Sequence, residues 1–197
     1  MSIRPAAVAG LFYPQNKTDL YHQLSGILPQ TSSTHPKALI VPHAGYIYSG
    51  TIAGQGYALL GKGESFDRVC LFGPNHRVPL EGCAVPENDF FSTPLGELSV
   101  DQKAIAALLK LPAVIASDAV HAQEHCLEVQ LPFLQYLKIN APIVPVVVGE
   151  CPASVVADMI EPLLSDPKTL VIISTDLSHF QTYENARVID AHTDLKI

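Results

Sequence analysis

Cysteine is sparse in this chain and is not arranged in pairs. Cys70, Cys83, Cys126 and Cys151 stand apart among 197 residues, with no CxxC spacing. That pattern suggests neither a disulfide framework nor a zinc knuckle, and Cys70, inside an apolar run, reads as plain core. Positive charge is also scarce. Twelve Lys and Arg against 19 Asp and Glu give a formal charge of −7, which leaves no broad cationic surface to hold a phosphate backbone, so nucleic acid is not an expected partner. Long apolar runs are missing too. Residues 1–12 carry one arginine and no stretch long enough for a signal-peptide core, and no later stretch reaches the length of a membrane span, so the expectation is a cytoplasmic protein with no membrane partner. There is no GxSxG elbow and no P-loop, and Gly54-Gln55-Gly56 falls inside a helical pattern rather than after a strand. Internal repeats and low-complexity tracts are absent from the sequence as well.

What is present is a hydrophobic content of 48%, enough for one substantial core, and residues 1–197 read as a single domain. Segments 37–41, 68–72, 113–116, 143–148 and 169–174 are short, β-branched and continuously apolar, the pattern of strands covered on both faces. Between them, 19–28, 50–60, 100–109, 124–137, 153–164 and 184–197 have helical spacing or composition, several opened by Thr, Ser or Asp. The alternation predicts an α/β fold in three layers, a mostly parallel central sheet with helices on both faces. Residues 78–98, broken by Pro79, Pro86, Pro94, Gly82 and Gly96, read as a loop with short strands at the sheet edge.

Three of the predicted strands run into a histidine set in a polar turn. Pro42-His43-Ala44-Gly45-Tyr46 follows the first, Gly73-Pro74-Asn75-His76 the second, and Asp176-Leu177-Ser178-His179 the last. In an open α/β sheet the ends of parallel strands face one crevice, so these side chains should converge although they are far apart in sequence. A lone histidine in a turn is as well explained by hydrogen bonding to backbone; two at equivalent strand ends favour a metal, because imidazole suits iron, copper, zinc and nickel. Asp176 and His179 add a carboxylate and an imidazole to the same crevice, helix capping being the other reading of Asp176.

Glu124-His125-Cys126-Leu127-Glu128 is expected to open a helix with His125 and Glu128 at i and i+3 on one face. His125 then reads as an acid/base group or a support of the metal ligands, with Glu128 orienting it; a hydrogen bond on the helix surface is the alternative. His121 reads as solvated.

Taken together, Pro-His-Ala-Gly-Tyr at 42–46, Gly-Pro-Asn-His at 73–76, Glu-His-Cys-Leu-Glu-Val-Gln-Leu-Pro-Phe-Leu at 124–134, Ser-Thr-Asp-Leu-Ser-His at 174–179 and the opening Ala9-Gly10-Leu11-Phe12-Tyr13 resemble the Memo family, also called AmmeMemoRadiSam system protein B. The resemblance runs over nearly the whole chain. It implies a fold similar to the extradiol nonheme iron dioxygenases of the protocatechuate 4,5-dioxygenase class, with His43 and His76 as metal ligands and His125, Asp176 and His179 lining the site as catalytic residues. In that family a cysteine of a Cys-Gly segment, beyond the region matching residue 179, is the third ligand. The resemblance therefore implies that the domain lacks its C-terminal portion here or that another residue completes the site.

Three functional classes follow. The first is a mononuclear iron or copper site with redox, dioxygenase-like chemistry on a small molecule. The second keeps the crevice without turnover, as a metal-binding module or one that takes a peptide or partner protein. The third, metal-independent hydrolysis or lysis by His125, Asp176 and His179, lacks a nucleophile in an activating motif.

Overall fold

The computed structural model describes residues 1–32 and 34–197. Its architecture is mixed α/β, with two sheets and seven helices among the described residues. Four strands, β2 (Ala38–Val41), β3 (Arg68–Pro74), β8 (Ile143–Val148) and β9 (Thr169–Ser174), lie parallel in the order β2, β9, β3, β8. They match the apolar segments read from the sequence almost residue for residue. β3 is buried at every position from Val69 to Gly73, and its two faces meet different partners. Cys70 and Phe72 line a cleft with α3 (Gln102–Leu108) and α6 (Ala153–Leu164), whereas Gly73 faces Cys126 and Leu127. A strand sandwiched in this way has no solvent face, so it needs no polar alternation.

The other face carries α1 (Lys17–Ile27) and α2 (Tyr46–Tyr57). Asn16 caps α1 by accepting from the backbone N–H groups of Thr18 and Asp19, satisfying donors that no helical carbonyl reaches. The two helices pack so closely at Gly54 that a Cβ there would strike the carbonyl oxygen of Ile27. Glycine is the one residue that fits that crossing.

Three expectations need correction. Residues 78–98 do not merely fringe the sheet: β4 (Cys83–Val85) runs antiparallel beside β8 and lies inside the sheet, with β7 (Val114–Ala116) as the edge beyond it. A second sheet joins β1 (Ile3–Arg4), β5 (Phe90–Thr93) and β6 (Gly96–Ser99), pairing the N-terminus with a hairpin 87 residues away. The helix expected over 124–137 is broken. After a short α4 (Asp118–Ala122), it is replaced by irregular backbone at 124–127, one 3₁₀ turn at Glu128–Gln130 and α5 (Leu131–Tyr136). Pro132 sits in the first turn of α5, where its missing N–H cannot continue a helix from residue 128. Upstream, the Glu124 carboxylate takes the N–H groups of His125 and Cys126. The C-terminal α7 (Tyr183–Asp194) buries none of its residues. Among the described residues no helix is long and apolar enough to cross a membrane.

Candidate metal centre

Because β2, β9, β3 and β8 are parallel, their C-terminal ends open on one edge of the sheet. Val41 pairs with Ser174, and Pro74 pairs with Val148. His43, Asp176 and His76 each stand two residues past the end of β2, β9 and β3, neighbours because the strands are neighbours. The irregular 124–127 segment lies over the same edge and adds His125.

The three imidazoles form one cluster. Ring centroids are 5.2 Å apart for His43 and His76, 5.5 Å for His43 and His125, and 4.5 Å for His76 and His125. Each ring offers a nitrogen, and the three nitrogens lie within 4.8 Å of one another. His43 is 1% exposed. Phe12 packs on His125 from outside, at 4.6 Å between centroids.

Hydrogen bonds decide which nitrogens are free. Ser174 Oγ donates its one hydrogen to Cys126 O (2.6 Å) and accepts from Gln130 Nε2 (2.8 Å). The His43 Nδ1 atom, 3.1 Å from Ser174 Oγ, therefore has to be the donor, and Nε2 of His43 is left with a lone pair. That Nε2 is buried without a hydrogen-bond partner. Gln130 is held in turn by Tyr57 and by Pro42 O, to which it donates. His76 is fixed in the same sense. Its Nδ1 donates to Glu124 Oε1 at 2.9 Å, and its backbone N–H donates to Glu124 Oε2 at 2.7 Å. A carboxylate behind an imidazole sets the tautomer and raises the basicity of the far nitrogen. Nδ1 of His125 stands 3.2 Å from the same carboxylate but out of line for a hydrogen bond.

Charge follows from this packing. Burial pushes the His43 pKa down to about 4, with Asp176 opposing and the other two rings assisting, so His43 is neutral at pH 7. For Glu124 burial works against the charge. The nearby His125 ring and the bonds from Cys126 and His76 outweigh it and hold the carboxyl well below the usual carboxylate range. Cys126 also lies within ligand distance of His76 and Glu124, yet burial first and the Glu124 charge second keep its thiol protonated, and it donates to Pro74 O at 3.1 Å.

Asp176 holds the turn of His43. Its Oδ1 accepts the N–H groups of His43 (2.6 Å) and Ala44 (3.2 Å), and its Oδ2 is 3.7 Å from His43 Nε2. His179 stands outside the cluster, about half exposed, 3.8 Å from Asp176, on a segment where Leu177 and Phe180 both have positive φ. Of the residues singled out in the sequence, then, His43, His76 and His125 meet, Asp176 braces the first, and His179 lies at the rim.

Glu128 is not the partner of His125. It is fully buried, paired with Arg4 at 2.7 Å, and it accepts from the N–H groups of Ala7 and Val8 and from the Tyr13 hydroxyl. Without a helix at 124–128, the i, i+3 face on which that assignment rested does not exist. Glu124, next to His125 in sequence, is the carboxylate that supports the cluster. His121 is also not solvated: it is 1% exposed and its Nε2 lies 3.1 Å from Ala84 O.

A family model described as Memo-like protein matches residues 4–195. The chain belongs to the Memo family. Among its curated relatives, a MEMO1 family protein of Aquifex aeolicus is 38% identical over 96% of this chain and 72% of its own length. One of Methanobrevibacter smithii is 36% identical over 95% and 73%, and one of Ignicoccus hospitalis 37% over 93% and 71%. In this Memo-family chain, the segments that carried the resemblance are those that meet at the parallel strand ends.

Proposed function

We propose that His43, His76 and His125 hold one metal ion, iron or copper, and that the protein performs redox, dioxygenase-like chemistry on a small molecule in the cytoplasm. The observation that carries this reading is the buried, unpartnered Nε2 of His43 beside two further imidazoles. A desolvated lone pair without a hydrogen-bond partner is costly, and a cation relieves it. The donor set fits, since neutral imidazoles suit these metals. Such an ion, when bound, would polarise a substrate oxygen and supply one-electron steps. The chain's own groups do the rest. Ser174 and Glu124 hold the hydrogens of His43 and His76 on Nδ1, Phe12 shields His125 from water, and Asp176 with His179 places a carboxylate and an exposed imidazole at the rim, where they exchange protons with a substrate. The dioxygenase-like fold that the family resemblance implies would likewise put a metal at the mouths of parallel strands.

The second reading, a metal-holding module that takes a peptide, draws on exposed Leu11, Ile47 and Tyr48, which flank the Phe12 and Tyr46 backbone contact beside the cluster.

Anaerobic titration of Fe(II) and Cu(I) into metal-free protein tests the centre. Saturable binding of one ion, lost in His43→Ala and His76→Ala and weakened in His125→Ala, is the expected result. Folded variants that bind as tightly as the parent chain would refute the ligand set. Oxygen consumption with a candidate substrate then separates the enzyme from the module.

A further inference from the structure

Two of the four thiols meet outside the histidine crevice. Cys83 opens β4, Cys151 follows the end of β8 by three residues, and their Sγ atoms are 4.0 Å apart. The backbone around them is stitched together. Gly149 N–H donates to Gly82 O at 2.8 Å, Gly82 N–H to Glu150 O at 2.9 Å, and Glu150 N–H to Leu80 O at 2.8 Å. Cys83 itself pairs with Val148 across the antiparallel ladder. Gly149 permits this approach, because a Cβ there would collide with the Leu80 backbone. The two sulfurs are thus held in contact by main-chain bonds on both sides, and side-chain rotation has only to close them to the bonding distance of about 2 Å. Cys83 is buried and Cys151 partly exposed, so one thiol is reachable from solvent and the other waits behind it.

We propose that Cys83 and Cys151 are a reversible disulfide site, closed by a low-molecular-weight disulfide. The Cys151 thiolate attacks one sulfur of the small disulfide, expels one small thiol and leaves a mixed disulfide on Cys151. Cys83 attacks the Cys151 sulfur and gives its proton to the departing small thiolate, forming the internal bond and expelling the second small thiol. Two protein thiols give up two electrons and two protons, and the small disulfide becomes two thiols. Burial first, and Cys151 second, push the Cys83 thiol up to about 12. Cys83 is therefore the slow, resolving partner, and the mixed disulfide accumulates before the internal one. The bond ties the approach to β4 onto the exit of β8. Residues Glu81, Gly149 and Glu150 wall a recess that also touches Asn75, the neighbour of His76, so oxidation fixes the flank of the crevice without touching its imidazoles.

The test uses the full chain, metal-free, incubated with oxidised glutathione, then denatured for thiol titration and intact mass. The expected result is a fall from four free thiols to two, loss of two hydrogens, Cys83 and Cys151 peptides joined, and recovery with dithiothreitol. Cys70→Ala should close the same bond, and Cys151→Ser should keep its three thiols free of any internal link. Four persistent thiols would overturn the proposal, as would a mixed disulfide at Cys151 as the end product, or a bond between other cysteines or between two chains. None of these readouts depends on metal binding, so the proposal fails or stands apart from the function proposed above.

Discussion

Arg4 with Glu128, and His43 in the histidine cluster, are both polar groups withdrawn from water, yet they are finished in opposite ways. Around Glu128 every charge is answered. The guanidinium reaches the carboxylate, His121 O and Glu124 O, each at 2.7 Å, while the carboxylate also takes two backbone N–H groups and the Tyr13 hydroxyl. Around His43 the supporting bonds stop at Nδ1 and leave Nε2 bare. The first cluster leaves none of its side-chain polar atoms without a partner while it holds the N-terminus to the 124–128 segment; the second leaves one bare, and that atom marks it as a site for something else. Burial alone does not separate them, since Glu128 and His43 are both almost fully enclosed.

Substitution of Glu128 should weigh most on the fold. Glu128→Ala strands Arg4, which is 2% exposed, and should cost about 3–5 kcal/mol of unfolding free energy. Denaturant titration reads this, and a near-neutral variant would mean that the Arg4 cluster holds nothing together. Glu124→Gln acts on the other side. It keeps the shape and removes the charge behind His76, so metal affinity should fall about 10–100-fold with the fold retained; unchanged affinity would remove Glu124 from its orienting role. Ser174→Ala deprives His43 and Gln130 of an acceptor and Cys126 O of a donor. The expected loss is about 1–3 kcal/mol in stability, accompanied by weaker metal binding because the His43 tautomer is released.

A pH scan sharpens the contrast. His43 and His121 both have pKa values lowered to about 4, in each case chiefly by burial, against an unfolded value of about 6.5. Between these limits the unfolded chain binds more protons than the folded one, so stability is full above about pH 6.5 and falls as the pH drops toward 4. Melting temperatures of the metal-free protein across that window check it. His43→Gln should flatten the decline in part, and a flat profile in the parent chain would show that these rings are not held neutral. The smallest effect belongs to His179→Ala, with stability within about 0.5 kcal/mol of the parent and metal affinity unchanged. A loss comparable to that of His43→Ala would move His179 into the ligand set.

The reading of this chain from sequence succeeded where the signal was local. β3, β8 and β9 announce themselves as continuous apolar runs, and the turns after β2, β3 and β9 carry their histidines and aspartate in the open. It failed at 124–137, where helical spacing concealed a break imposed by Pro132 and by the grip of Glu124 on its own backbone. The same failure misassigned Glu128, whose partner Arg4 lies 124 residues away. Ser174 and Gln130 sat inside quoted motifs without a role, because nothing in a linear pattern says that a serine at one strand end meets a glutamine from another element.

The apolar runs and the residues that end them determined the four parallel strands β2, β9, β3 and β8 and the edge on which His43, His76 and Asp176 come out, since an apolar run closed by a turn is a local signal, whereas the antiparallel place of β4 and the second sheet were set by long-range pairing. Which nitrogen of each imidazole is free, which glutamate supports it, and that His125 joins the cluster while His179 stays at the rim were decided only by tertiary packing. Hydrogen-bond saturation depends on every neighbour in space, and those neighbours come from segments more than 40 residues apart.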